Sequence, residues 1–290
     1  MPSKKLGDRG FQMANAAVLG LLSIVTAFPL YYVFVVSFTD PIEYLQKPLV
    51  LFPERWSLAS YSYLLSTPAF PKALGVSAFL ATVGTACSLI VTSALAFTLS
   101  RRRMRGRRLI QLCILFTILF GPGIIPNYLL IKELSLINSI WSVILVSLTS
   151  GWYVILMRGF YDGIPEELDE AAAIDGCNDI ASFFRIILPL SLPALAAFGL
   201  FFAVSFWNQY FNALLYLNDS DKWPIQVLLQ NMLIDASSSS LGEVDPLMKP
   251  PPSETLKMAA VVIAIAPIVA VYPFLQKHFA KGAMVGSIKG

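Results

Sequence analysis

Six intervals of this chain run for 19 to 33 residues without one Asp, Glu, Lys or Arg. They lie between Arg9 and Asp40, Lys72 and Arg101, Arg108 and Lys132, Glu133 and Arg158, Arg185 and Asp219, and Lys257 and Lys277. About 20 predominantly apolar residues carry a helix across the roughly 30 Å hydrocarbon core of a bilayer. The whole composition agrees: 13% of residues are charged, about half the usual soluble share of roughly 25%, and the mean hydropathy is +0.68. The sequence therefore predicts an all-α integral membrane protein. Its transmembrane domain covers residues 11–276, with six spans at about 11–38, 73–100, 109–131, 139–157, 190–217 and 258–276. An even number of spans leaves both termini, 1–10 and 277–290, on one side. Lys4, Lys5 and Arg9 precede the first run as they would in a signal peptide, but the run is too long and lacks a small-residue cleavage site.

Several function classes are disfavoured at this level. A net charge of +3 gives nucleic-acid binding no support. Cys87, Cys113 and Cys177 are far apart, and His278 is the sole histidine, so neither a zinc site nor a disulfide framework is expected. A G-x-x-x-x-G-K-[ST] loop is missing, so the chain does not hydrolyse ATP itself. An integral-membrane enzyme or an ion-coupled secondary transporter remains the alternative class. Either would place ionisable groups within the spans, and the six intervals carry none of the charged types.

Lys and Arg set the orientation. With the N-terminus in the cytoplasm, the inner segments hold 14 basic residues and the outer ones 7. The strongest anchor is Arg101-Arg102-Arg103-Met104-Arg105-Gly106-Arg107-Arg108, read as a topology signal in contact with lipid headgroups. On the same cytoplasmic side, between spans four and five, lies a compact acidic block. Six carboxylates fall between Glu166 and Asp179, while no Lys or Arg falls between Arg158 and Arg185. Pro165 suits a first helical position, and acidic residues after it suit the positive end of the helix dipole. Ala171, Ala172 and Ala173 favour helix without bulk, Gly176 suits a left-handed stop, and Asn178 or Asp179 can cap the next helix. A short helix with small side chains and a charged rim can lie in a groove of another protein. A solvated loop with no partner is the other reading. Pro189 and Pro193 then reset the helix direction ahead of span five.

Glu170-Ala171-Ala172, Gly176, nine intervening residues, Ile186 and Leu188-Pro189 resemble the EAA loop of ABC-importer permeases. The resemblance implies the type I importer permease fold, with a cytoplasmic coupling helix between helices 4 and 5 in the loop 159–189. It further implies that Glu166, Glu170 and Asp175 meet side chains of a separate ATPase, that Ala171 and Ala172 pack in its groove, and that Gly176 makes the turn. On this reading the chain carries no cofactor, and ATP and Mg are bound by the partner ATPase. Two ATP-binding cassette subunits, a second permease in a heterodimer and an external solute-binding protein are the implied partners, in the inner membrane.

Other stretches resemble the carbohydrate branch of these permeases: residues 51–65, the segment 206–217 and the glycine-rich ending 280–290. Residues 121–139, 221–235 and 271–282 resemble permeases for plant or algal oligosaccharides, including uronate-containing alginate or pectin fragments. Trp207, Asn208, Gln209, Tyr210, Phe211 and Asn212 combine amides and rings within one span. Amides can meet sugar hydroxyls and rings can meet sugar CH faces. Interhelical hydrogen bonding and interface anchoring are the alternative roles. Gly121-Pro122-Gly123 and Pro126 interrupt span three, as a pathway hinge or as an ordinary kink. The polar segment 218–257 reads as a surface for an external binding protein, or as a linker.

Overall fold

The computed structural model describes residues 4–165, 167–234 and 253–287. Among them the secondary structure is helical, apart from one isolated bridge between Thr39 and Trp56. In chain order the helices are α1 (Lys4–Ser37), α2 (Pro41–Gln46), α3 (Ala59–Ser66), α4 (Ala69–Phe79), α5 (Thr85–Ser100), α6 (Arg107–Leu119), α7 (Ile124–Glu133), α8 (Ile140–Val146) and α9 (Gly151–Asp162). They continue with α10 (Glu167–Ile174), α11 (Asp179–Ser182), α12 (Leu188–Leu190), α13 (Leu192–Trp207), α14 (Phe211–Tyr216), α15 (Ile225–Ile234) and α16 (Ser253–Ser287). The chain divides into two compact units, one from residues 1–70 and 229–266, the other from residues 71–228 and 267–290.

By length and composition, three helical stretches could cross a membrane: Phe11–Ser37, Ala69–Ser100 and Glu254–Val271. Three further pairs qualify only together, each bent at a short break. The interval 109–131 is one of these. It is two helices, α6 and α7, meeting at 117°. Gly121-Pro122-Gly123 accounts for the break, since Pro122 has no N–H to donate. Gly123, at φ +84 and ψ 179, occupies backbone space that is essentially glycine-only. The interval 139–157 is α8 and α9, bent by 56°, each capped by a serine side chain: Ser139 accepts from Trp141 N–H and Ser150 from Tyr153 N–H. At the last span the helix runs on past residue 276, where the sequence predicts the span to end, to Ser287.

In the first unit, buried Val35, Val36, Tyr63, Leu64, Leu256, Ala259 and Ala260 form much of the apolar interior. The segment joining α1 to α3 is organised by a carboxylate. Glu43 is 6% exposed. It accepts the backbone N–H of Glu54 at 3.0 and 3.2 Å, that of Arg55 at 2.9 Å, and the Lys47 ammonium at 2.9 Å. The Glu54 N–H leads in stabilising the ionised form, followed by Lys47 and against the opposing effect of burial, so the carboxyl pKa falls to about 2. The lowered pKa fixes the sign: Glu43 stabilises this clip fully above its unfolded pKa of 4.5, and the contribution is lost as pH falls toward 2. A Glu43→Gln variant presents an amide NH2 to a backbone N–H. It should therefore expose the 47–55 segment to protease several-fold faster at pH 7, with the difference from wild type shrinking as pH drops below 4.5.

The second unit has the larger core, with Leu80, Ala96, Phe97, Val143, Ile144, Met157, Tyr161, Phe198, Phe202 and Phe206 at its centre. Here α5 packs along α9, and α13 crosses both α5 and the π turn at Leu80–Gly84. Two glycines permit the closest approaches. A Cβ on Gly84 would sit 2.9 Å from the Phe206 ring. At Gly151 it would meet Ile118 Cγ1 at 2.7 Å and the Ile114 carbonyl oxygen at 3.0 Å. That carbonyl belongs to α6 and cannot rotate away, so Gly151→Ala should cost about 1–3 kcal/mol through overpacking. A lowered unfolding midpoint in detergent, compared with Gly20→Ala, whose Cβ would meet nothing within 4 Å, checks this.

Candidate functional site: an exposed acidic elbow and a polar belt

The acidic loop folds as helix, turn and helix. α10 ends in a glycine-dependent cap: Gly176 sits at φ +80, Cys177 N–H donates to the Ala172 carbonyl at 2.9 Å, and Asp175 N–H donates to Ala171 at 3.0 Å. The 6→1 bond closing over a left-handed residue is the Schellman arrangement. Asn178 caps the next helix, its Oδ1 accepting from Ala181 N–H at 2.8 Å. α11 then passes through a π turn, Phe183–Ile187, into α12. At Ser191, between Pro189 and Pro193, the direction changes by 82° into α13.

The residues expected at an ATPase contact separate by face. Glu170, Ala171, Asp175 and Gly176 are exposed. Ala172 is not: at 4% exposure it is buried within its own chain, so it cannot line a partner's groove as expected from sequence. Glu166 lies outside the described residues, as do the serine run and most of the proline-rich segment within 218–257. One feature of this face escaped the sequence reading. Ile174 is 86% exposed and Ile180 69%, apolar side chains beside a carboxylate rim.

The basic run 101–108 is also more than a topology signal. Arg101 forms an ion pair with Asp169 of α10, and Arg103 with Asp179 of α11. Complementary charge on the same predicted side was the available signal.

At the other candidate site, α13 ends at Trp207, which is buried, and α14 begins at Phe211, leaving Asn208, Gln209 and Tyr210 at the break. This break faces the one between α8 and α9. Gln209 Nε2 donates to Ser147 Oγ at 2.8 Å, and Asn212 Nδ2 donates to the same oxygen at 3.2 Å. Asn212 Nδ2 also lies 3.4 Å from Gln209 Oε1. Asn208 is exposed, and its Oδ1 accepts from Gln226 Nε2 at 3.2 Å. Thr92 of α5 and Thr149 of the α8–α9 break share a hydroxyl bond at 2.7 Å. The amides expected to act together are thus assembled into a neutral polar belt, half-buried at Gln209, Tyr210 and Asn212. Ser147, Thr149 and Gln226 complete it. Ser147 and Thr149 look like ordinary helix-packing residues in an apolar run, and Gln226 lies beyond the span that carries the other amides.

Beside the belt, Asn138 organises the loop before α8. It adopts φ +61, tolerated by Asn better than by most residues. Its Oδ1 accepts from Asn218 and Asp219 N–H, and its carbonyl accepts from Lys222 Nζ at 2.9 Å. A Lys72–Asp221 pair at 3.0 Å ties the same segment to α4. Part of the 218–257 segment is therefore firmly attached rather than a linker.

Long apolar helices, a capped acidic elbow at one loop and a polar break in an apolar helix fit a subunit of the bilayer better than a soluble enzyme. The chain belongs to the family of binding-protein-dependent transport system inner membrane components, whose model matches residues 3–285. It is 44% identical over 285 residues to the polygalacturonan/rhamnogalacturonan transport system permease protein YtcP of Bacillus subtilis (strain 168), covering 98% of this chain and 99% of the relative. Protein LplC of the same organism is 42% identical over 290 residues, covering 100% and 98%. Among solved structures, a chain of a bacterial ABC transporter involved in the import of the acidic polysaccharide alginate superposes with a TM-score of 0.87 at 31% identity, over 94% of this chain and 98% of that one.

Proposed function

We propose that this permease forms half of the pathway by which an ATP-driven importer takes up an oligosaccharide or polysaccharide. Uronate-containing chains such as pectin or alginate fragments are the first candidates, in line with the substrates named for the relatives. α10 is the coupling helix. Glu170, Ala171, Asp175 and Gly176, with Ile174, dock on a cytoplasmic ATPase, and Glu166 contributes to the same contact. Two such ATPases bind ATP and Mg, a second and distinct permease completes the pathway, and an external binding protein delivers the sugar. The three long helices, the bent pairs α6–α7 and α8–α9, and α13 make six spans, with both termini in the cytoplasm. Asn208, Gln209, Tyr210 and Asn212 line the sugar path, while Trp207, expected among them, is buried within its own chain. A saccharide hydroxyl both donates and accepts, so it can replace the amide–Ser147 bonds one for one. ATP-driven closure of the ATPases would rock the bundle between inward-open and outward-open forms.

The exposed Ile174 beside Glu170 and Asp175 carries this reading, because it is a mixed apolar and acidic face made for a partner with an apolar groove and basic edge. Co-expression with the cognate ATPases and binding protein, followed by uptake in proteoliposomes across neutral and uronic oligosaccharides, tests it. The expected result is an ATPase that co-purifies and hydrolysis that rises when loaded binding protein is added. A chain that purifies without an ATPase and still moves sugar down an ion gradient would place it among secondary transporters.

A further inference from the structure

Three ties join the acidic elbow to the end of α5. The first is the Arg101–Asp169 pair, whose side chains are only 14% and 15% exposed. Asp169 is used on both oxygens: Oδ2 faces Arg101, and Oδ1 accepts the Ser182 hydroxyl at 3.0 Å. One carboxylate therefore links α5, α10 and α11. The second is the more exposed Arg103–Asp179 pair. The third is aromatic: the Arg101 guanidinium lies 4.4 Å over the Phe97 ring, and Phe97 packs against Phe183 of the π turn at 4.8 Å between centroids. The face of the Phe97 ring and a partly desolvated carboxylate hold the guanidinium on two sides.

The elbow thus has two mechanical routes into the bundle. The covalent one runs through the π turn and the 82° bend at Ser191 before reaching α13. Both interruptions are places where a helix yields. The other passes from Asp169 to Arg101, the cap residue that follows α5, and up an unbroken helix. Nine residues, about 14 Å of rise, separate Arg101 from Thr92, whose hydroxyl meets Thr149 of the polar belt at 2.7 Å.

We propose that Arg101 clamps the elbow to α5, with Arg103 in support, so that displacement of the coupling helix reaches the sugar path through α5 as well as through α13. Arg101 and Asp169 are positioning residues: they touch neither sugar nor ATP. The clamp rests on the coupling role proposed above. It differs from a topology signal in depending on which arginine is changed.

The test uses the assembled transporter in proteoliposomes with its binding protein, and reads sugar imported per ATP hydrolysed. Arg101→Glu and Asp169→Arg should each lower that ratio about tenfold, and the double exchange should restore it to within roughly threefold of wild type, as a direct pair requires. Arg105→Glu makes the same charge change in the same loop and should leave the ratio intact. Wild-type ratios in both single variants, or a double exchange no better than either, would overturn the clamp. If the reversals fail to assemble, spin labels at Leu95 and Ile180 report on the otherwise native protein. Their separation should change by less than about 3 Å, two residues of helical rise, between nucleotide-free and ATP-bound states. A larger change overturns the proposal. Loss of the co-purifying ATPase from the unaltered protein would refute the coupling role itself, whereas equal ratios with the ATPase bound refute only the clamp.

Discussion

A Gly176→Val variant should reach the membrane at the normal level and import sugar at least about tenfold more slowly, the effect of roughly 1.4 kcal/mol at one step. Gly176 stands at φ +80, where a β-branched residue is a genuine outlier. Nothing lies within 4 Å of the Cβ it would gain, so the strain is in the backbone and not in packing. Relief requires the turn to open. That breaks the Cys177-to-Ala172 bond and re-aims α10 against α11. Gly176→Asn, better tolerated in left-handed backbone, should recover much of the rate. Glu170→Lys attacks the same step by another route, reversing the charge of an exposed rim residue without touching the turn. Uptake by both Gly176→Val and Glu170→Lys at the wild-type rate, in proteoliposomes of matched protein content, would remove the elbow from the mechanism.

The second large effect is expected at Ser147. Its hydroxyl oxygen receives both Gln209 Nε2 and Asn212 Nδ2, filling the two lone pairs it offers. Ser147→Ala leaves two half-buried amides without that acceptor, and each unsatisfied donor costs about 1–3 kcal/mol when fully buried. The lower end applies here, so the KM for sugar should shift roughly tenfold while the ATPase still co-purifies. Gln209→Ala should shift KM in the same direction, and the double variant should add little, because the two residues share one bond. Unchanged KM in all three would assign the belt to helix packing.

Much of the architecture was readable before any coordinates. Charge-free intervals marked the long apolar helices, and the glycine and the asparagine of the acidic loop located its turn and second cap. What stayed hidden follows from the physics of apolar segments. Hydropathy integrates over a window and cannot distinguish a straight rod from two helices meeting at 117°. Gly121-Pro122-Gly123 marked the position of that break but not its angle. Ala172 shows a different limit. Three consecutive alanines point in three directions around a helix, about 100° apart, and only tertiary packing decides which is covered. Ion pairing across 68 residues, Arg101 with Asp169, left no periodic trace. It was visible only as opposite charge on one predicted side of the membrane. Glu43 was similarly silent, since a buried carboxylate satisfied by backbone N–H groups looks like any loop glutamate until the loop is folded.

The central claim is that α10 is gripped from the cytoplasm by an ATPase, and Ile174 is the place to ask. It is 86% exposed on the presented face and takes no part in the chain's own core. A photoreactive benzoyl-phenylalanine placed there and irradiated in intact cells expressing the whole transporter should cross-link to the nucleotide-binding subunit, with a yield that changes when ATP is depleted. Cross-links to the external binding protein, or to lipid alone, would contradict the account.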